Sequence, residues 1–384
     1  MPSVERQQLD PTASGEVVRW AGRGRDNTKK RCSEGGSAGS TDRPRVLFIC
    51  GSRNQTTQLH QVAREMPDVD SAFSPYFVTG VYELMREWGW LDFTIAGGHW
   101  REECLTYLRD HGLTIDVRGQ GYCYDLVVTC QDLFAPSLMS SHKSVLVQEG
   151  MVDPENLWFP LVRRFKSVPR WLASTSATGL SDRYDRFCVA SEGFRDLFIH
   201  RGVKPDKLVV TGIPNFSQCQ KYLTNSFPHR GYLLVCTSDS RETYKWHDRN
   251  AFLQRAGQLA EGRPVIVKLH PNERFDRAVR EVRALLPGAL IYSDGNAEEM
   301  VANCDVLVTE WSSTALVGLA LGKQVHSSFD VDELCRLMPL QTPHAAANIA
   351  AVCRSVLWGL PLPSLETRVA PAQPLAAPRQ EACA

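Results

Sequence analysis

Three short stretches carry residues that could do chemistry together. In VLVQEGMVDPE, Glu149 and Gly150 follow a run of apolar β-formers. In VIVKLHPNE, His270 and Pro271 end a second such run, and in VLVTEWSSTALVG, Glu310, Ser312, Ser313 and Thr314 stand between a third run and a helix-like pattern. A carboxylate can take the proton of an attacking hydroxyl. An imidazole can hydrogen-bond or neutralise a departing phosphate. Hydroxyls and free amides at a helix start can hold an anion. Proline cannot continue a sheet ladder, so His270 is presented at a strand end, where open α/β sheets place their ligands. Each residue also has a plainer use: Glu149 as a loop acid, His270 as a satisfied structural imidazole, Ser312 as a helix cap.

The elements that must position these residues are legible as alternation. Short apolar runs separated by helix-length segments are the pattern of parallel sheets with crossover helices. In the first half the strand candidates are 45–50, 93–96, 126–130, 144–148, 186–190 and 207–212; in the second they are 232–236, 264–269, 289–292, 305–309 and 324–327. Helices are expected at 247–260, 274–286 and 313–321 among others. The fold class is therefore α/β, with two Rossmann-like parallel-sheet domains facing across a cleft. We expect a first domain over 44–214 on the acceptor side and a second over 215–358 on the nucleotide-donor side. Residues 1–43 and 359–384 are expected to be disordered, because Gly/Ser/Arg-rich and Pro/Ala-rich segments bury too little surface to offset their ordering entropy.

Composition narrows the function classes. The chain has 384 residues, with 43 basic and 43 acidic side chains, so no global field recruits nucleic acid. Twelve cysteines are scattered, several inside apolar runs, with no Cys-x-x-Cys. Free buried thiols in a reducing cytoplasm are expected rather than disulfides or a zinc site. No apolar run reaches the ~18 residues of a membrane span. The segment 156–179, NLWFPLVRRFKSVPRWLASTSATG, mixes aromatic and aliphatic residues with cations. That character suits a lipid-linked acceptor or peripheral contact with the inner face of a membrane, and equally a soluble acceptor loop.

Two loops after first strands complete the candidates. CGSRNQTTQLHQVA departs from G-x-G-x-x-G, so no dinucleotide fingerprint is present. Its Gly51, Ser52, Asn54 and Thr56 either line the acceptor side or make a turn with a capped helix. TSDSRETYKWH occupies the same topological place in the second half, where Arg241 or Lys245 could reach a donor phosphate or belong to a solvated loop. Glu310 stands where a ribose hydroxyl could be bound.

An acidic-Gly motif, then Lys-x-His-Pro, then a Ser-Ser-Thr helix start resembles the nucleotide-sugar transferases of the GT-B fold. The bacterial sialyltransferase-like, capsule-polysaccharide and CDP-glycerol glycerophosphotransferase groups are the ones meant. The resemblance implies Glu149 as base, His270 on the donor phosphate, and Ser312 with Ser313 on nucleotide phosphate. Those families often carry two acids before the glycine, where this chain has Gln148 and Glu149. A second resemblance is to the non-hydrolysing UDP-N-acetylglucosamine 2-epimerases, through Asp132, Glu149, TGIPN at 211–215 and His270. It departs where those enzymes carry a second glutamate, for here stand Arg163 and Arg164, and where they carry a Ser-Gly-Gly loop, for here stands WSSTALVG. The transferase function is the one expected: a sugar or polyol phosphate moved from a nucleotide-activated donor to a glycan acceptor. It implies no cofactor and no metal, since His270 and the helix start would supply positive potential. An epimerase and a non-catalytic nucleotide-binding module are the alternatives.

Overall fold

The computed structural model describes residues 43–90, 95, 97–134, 138–238, 240–242 and 247–367. Among these, eleven strands form two parallel sheets. Sheet A contains β1 (Arg45–Cys50), β2 (Asp70–Pro75), β3 (Leu126–Thr129), β4 (Lys143–Val147), β5 (Arg186–Val189) and β6 (Leu208–Val210), in the order β2-β1-β3-β4-β5-β6. Sheet B contains β7 (Leu233–Cys236), β8 (Val265–Lys268), β9 (Leu290–Tyr292), β10 (Val306–Thr309) and β11 (Gln324–His326), in the order β11-β10-β7-β8-β9. The connecting helices are α1 (Arg53–Arg64), α2 (Val81–Glu87), α3 (Gly98–Asp110), α4 (Leu138–Ser141), α5 (Phe159–Arg164) and α6 (Glu192–Arg201) in the first half. They continue as α7 (Arg249–Leu259), α8 (Phe275–Leu285), α9 (Ala297–Asn303), α10 (Thr314–Ala320), α11 (Val331–Arg336) and α12 (Ala345–Trp358).

The inner strands read as unbroken apolar runs because helices cover both faces of a parallel sheet. That is why β1, β3, β4 and β5, and β7, β8 and β10 of sheet B, fall where the sequence places them; the short edge strands β9 and β11 also lie within their expected ranges. β2 was not expected. Its sequence, DSAFSP, contains little apolar signal, and polar residues and a terminal proline are tolerated because it is the last strand of the sheet, with β1 on one side and only a single bridge, Phe73 to Ile115, on the other. The strand expected at 93–96 lies almost wholly outside the described residues; Ile95, which is described, is in a turn.

Both sheets lie in one compact unit, Arg43–Ala384. One core cluster runs from Leu146 and Phe187 of sheet A, through Ile213 and Phe216 of the junction, to Leu234 and Leu307 of sheet B. The chain then turns back. α12, which sequence order groups with the second half, packs on sheet A: Ile349, Ala350, Val352 and Cys353 are buried with Val46, Phe48, Val145 and Val147. Arg354 holds Asp68 through both carboxylate oxygens, at 2.9 and 2.5 Å, and Lys143 Nζ donates to the Leu357 carbonyl at 2.7 Å. The guanidinium keeps the Asp68 carboxyl below the usual carboxylate range. Residues 1–42 and 368–384 lie outside the described residues. Part of the expected tail is ordered by side-chain clasps, since the Glu366 backbone exchanges hydrogen bonds with Asn348 at 3.0 and 3.1 Å.

The ten described cysteines are free thiols, as the scattered spacing implies. Burial raises the pKa of Cys188, Cys236 and Cys353, so these behave as small apolar residues. No described helix is long and apolar enough to cross a membrane.

Candidate functional site

In each sheet the strand order reverses once, between β1 and β3 in sheet A and between β7 and β10 in sheet B. The crevice outside the carboxyl ends of strands at such a reversal is where open α/β folds bind ligands. The candidate residues cluster at these ends.

Glu149 follows β4 and is gripped by the first strand-to-helix turn. Its Oε1 accepts from Ser52 Oγ at 2.8 Å and Asn54 Nδ2 at 3.5 Å, and its Oε2 from Gln55 Nε2 at 2.6 Å. A carboxylate has about four acceptor sites, so three donors leave one on Oε2 for a substrate hydroxyl. Ser52 also caps α1, accepting from the Gln55 amide at 3.2 Å, so the capped-turn and site-lining uses of this loop coexist. Asn215 of the TGIPN junction donates to the Asn54 carbonyl at 2.9 Å, which ties the loop that holds Glu149 to the crossover between the halves.

His270 follows β8. Its ring Nδ1 accepts the Asn272 amide at 3.2 Å, so the neutral ring bears its proton on Nε2. Its backbone amide donates to Thr237 Oγ1 at 2.9 Å and to Glu273 Oε2 at 3.2 Å. Glu273 escaped the sequence analysis and organises the turn. The turn residues are not simply exposed, because the Glu273 side chain is 1 % accessible and forms an ion pair with buried Arg249. Its carboxylate also accepts from the Thr237 hydroxyl. The spacing His-x-x-Glu was the available signal, for a carboxylate reaching back three residues to a backbone amide is half of a capping box.

Glu310, after β10, is buried. Its Oε2 accepts from Ser238 Oγ at 3.1 Å and its Oε1 lies 2.6 Å from His247 Nδ1. His247 was also missed, and no sequence signal marks it, because its partner is distant along the chain. Nδ1 must carry the proton to face a carboxylate, so Nε2, buried and without a hydrogen-bond partner, is an acceptor in the neutral ring. Consecutive residues Thr237 and Ser238, just past β7, thus link the His270 turn to the Glu310 loop. Ser312 accepts the Thr314 amide at 3.3 Å and its hydroxyl lies 2.9 Å from that of Thr314, while Ser313, the residue at the cap position of α10, makes no side-chain capping bond.

The two edges meet. A Cβ placed on Gly150 would lie 3.4 Å from the Phe216 ring and 4.0 Å from Ser313 Cβ, so the residue beside Glu149 abuts the loop beside Glu310. Glu149 and the Glu310 to Thr314 segment therefore belong to adjoining strand-end loops, and His270 lies at the end of β8 in the same sheet as Glu310.

Two candidates are used differently. Asp132 is wholly buried, and its carboxylate accepts from the amides of Gly179 at 3.0 and 3.1 Å and Ser181 at 3.1 Å. Burial raises its pKa, opposed by those amides. Those bonds fix the 179–181 turn. Asp132→Ala should therefore lower stability by about 1–3 kcal/mol in denaturant unfolding, the cost of orphaned buried donors, with nucleotide binding retained. Intact stability with lost binding would return Asp132 to the ligand. Arg241 is likewise engaged, donating to both oxygens of Glu281 at 2.8 Å, which raises its pKa and lowers that of Glu281. That pairing clamps the 240–242 loop to α8. Lys245 lies outside the described residues. Among those described, no group of three or more His, Cys, Asp or Glu is placed to hold a metal ion.

Compared with protein-family models and with curated proteins, the chain matches none. Solved structures do match. A Listeria monocytogenes protein assigned as a UDP-N-acetylglucosamine 2-epimerase aligns over 84% of this chain and 98% of its own, at 11% identity and TM-score 0.56. The wall teichoic acid polymerase TagF aligns over 74% of this chain and 69% of its own, at 12% identity and TM-score 0.39. HepE from Anabaena, in complex with UDP, aligns over 82% and 96%, at 11% identity and TM-score 0.47. At these identities the likeness is one of fold: two Rossmann-like parallel sheets, as the strand alternation implied, in the GT-B arrangement that the motif resemblance implied.

Proposed function

We propose that this chain is a transferase that moves a sugar or polyol phosphate from a nucleotide-activated donor to a glycan acceptor. The observation that supports the proposal is the approach of sheet A's Gly150 loop, which carries Glu149, to the Ser313 loop of sheet B, with His270 at another strand end of that second sheet. The acceptor oxygen attacks, its proton passes to Glu149, and the bond to the departing nucleotide phosphate breaks. Nε2–H of His270 donates to the leaving phosphate, and Ser312, Ser313 and Thr314 hold it. Glu310, backed by His247, takes a ribose hydroxyl. The scheme draws its positive potential from side-chain donors and calls for no metal.

The test is nucleotide release from a panel of CMP-, CDP- and UDP-linked donors, with and without glycan acceptor. Acceptor-dependent release is expected. Interconversion of the sugar with the nucleotide retained at equilibrium would mark an epimerase, and thermal stabilisation by nucleotide without turnover a binding module. His270→Ala should lower turnover by roughly 10²–10³-fold, the typical worth of one donor to developing charge, with little change in the unfolding midpoint. Unaltered turnover would remove His270 from the mechanism.

A further inference from the structure

α5 is apolar on two sides. Phe159 and Val162 point inward to a small core with Leu133, Ala173 and Ala177. Trp158, Leu161 and Phe165, at i, i+3 and i+7, form a second stripe that is 50%, 44% and 52% exposed, next to Leu157 at 96%. Folding does not need that outer stripe. Exposed cations interleave with it, Arg163, Arg164 and Lys166, and the Arg164 guanidinium sits 5.7 Å from the centre of the Phe165 ring.

The chain leaving α5 walls a cavity of about 270 Å³ whose opposite side includes Thr79 and Tyr82. Lys166, Arg170 and Arg183 line it together with Ser167, and no carboxylate is among the lining residues. Arg170 donates to the Asp132 carbonyl at 3.2 and 3.3 Å, a neutral partner. The buried Asp132 carboxylate lies within its electrostatic reach. A cationic, hydroxyl-bearing cavity beside an outward aromatic stripe matches the two layers of a lipid interface: phosphate headgroups, then the acyl boundary.

We propose that this face docks on an anionic phospholipid surface, with a lipid phosphate in the Lys166–Arg170–Arg183 cavity and Trp158, Leu161 and Phe165 at the acyl boundary. The polypeptide runs directly from Gly150 to this stripe, so docking would bring the acceptor side of the site to the membrane. Vesicle binding needs no nucleotide, so it stands or falls apart from the donor chemistry.

The test is co-sedimentation of the full chain with phosphatidylcholine vesicles with and without phosphatidylglycerol. Binding is expected only with the anionic lipid and should weaken with salt. Lys166→Gln and Arg164→Gln should each reduce partitioning by roughly fivefold, the usual worth of one cation near such a surface. Trp158→Ser with Phe165→Ser should abolish it. All of these side chains are solvent-facing, so unfolding midpoints and nucleotide-induced thermal shifts should match the parent. No vesicle binding, or equal binding to neutral vesicles, overturns the proposal. So does inorganic diphosphate binding that Lys166→Gln removes while vesicles stay unbound, which would make the cavity a soluble-anion site. Self-association abolished by Phe165→Ser would instead make the stripe an interface between copies.

Discussion

Glu149→Gln should lower acceptor-dependent turnover by roughly 10²–10⁴-fold, the range general-base catalysis contributes, while nucleotide still stabilises the protein. The substitution keeps the shape of the side chain and removes its capacity to take a proton. The grip on that position comes from Ser52, Asn54 and Gln55, all donors to the carboxylate. An amide nitrogen cannot accept from them, so one hydrogen bond is lost or must rotate away. Unfolding should therefore show a small loss, on the order of 1 kcal/mol, against a large kinetic one. The comparison that decides is donor hydrolysis without acceptor against transfer with it: loss of transfer alone places Glu149 on the acceptor proton. Transfer at the parental rate would mean that Glu149 merely clasps α1.

Glu273→Ala should be the most destabilising single change on the donor side, by about 3–5 kcal/mol, because it strips a buried cation of its ion-pair partner. Arg249 is 4% accessible at its side chain, and burial already lowers its pKa to about 10, so it remains charged at neutral pH. The same carboxylate accepts from the Thr237 hydroxyl and from the His270 amide at 3.2 Å. Its removal therefore loosens the turn that aims the imidazole. Glu273→Gln, which keeps one acceptor oxygen, should recover part of the stability. A Glu273→Ala protein with a parental urea midpoint would show that Glu281, 3.9 Å from Arg249 Nε, suffices as counter-charge.

The sequence alone determined the architecture and the edge on which the candidates sit. β3, β4, β7, β8 and β10 are covered on both faces, so burial writes itself locally as VLV-type runs, and the residue after each run is at a strand end by construction. Glu149, His270 and Glu310 were legible for that reason. β2 was not, because an edge strand need not be apolar. Nor was the return of α12 to sheet A, since an apolar helix face does not say which sheet it will cover.

What only the tertiary structure decided is which neighbour each polar side chain meets. The sequence does not show that Asp132 meets the amides of the 179–181 turn or that Arg241 meets Glu281. His247 is silent in sequence and becomes the partner of Glu310. Spacing along a chain encodes contacts within a turn or a helix face, whereas these pairings join loops brought together by parallel strands and their crossovers, at distances in sequence that no local pattern records.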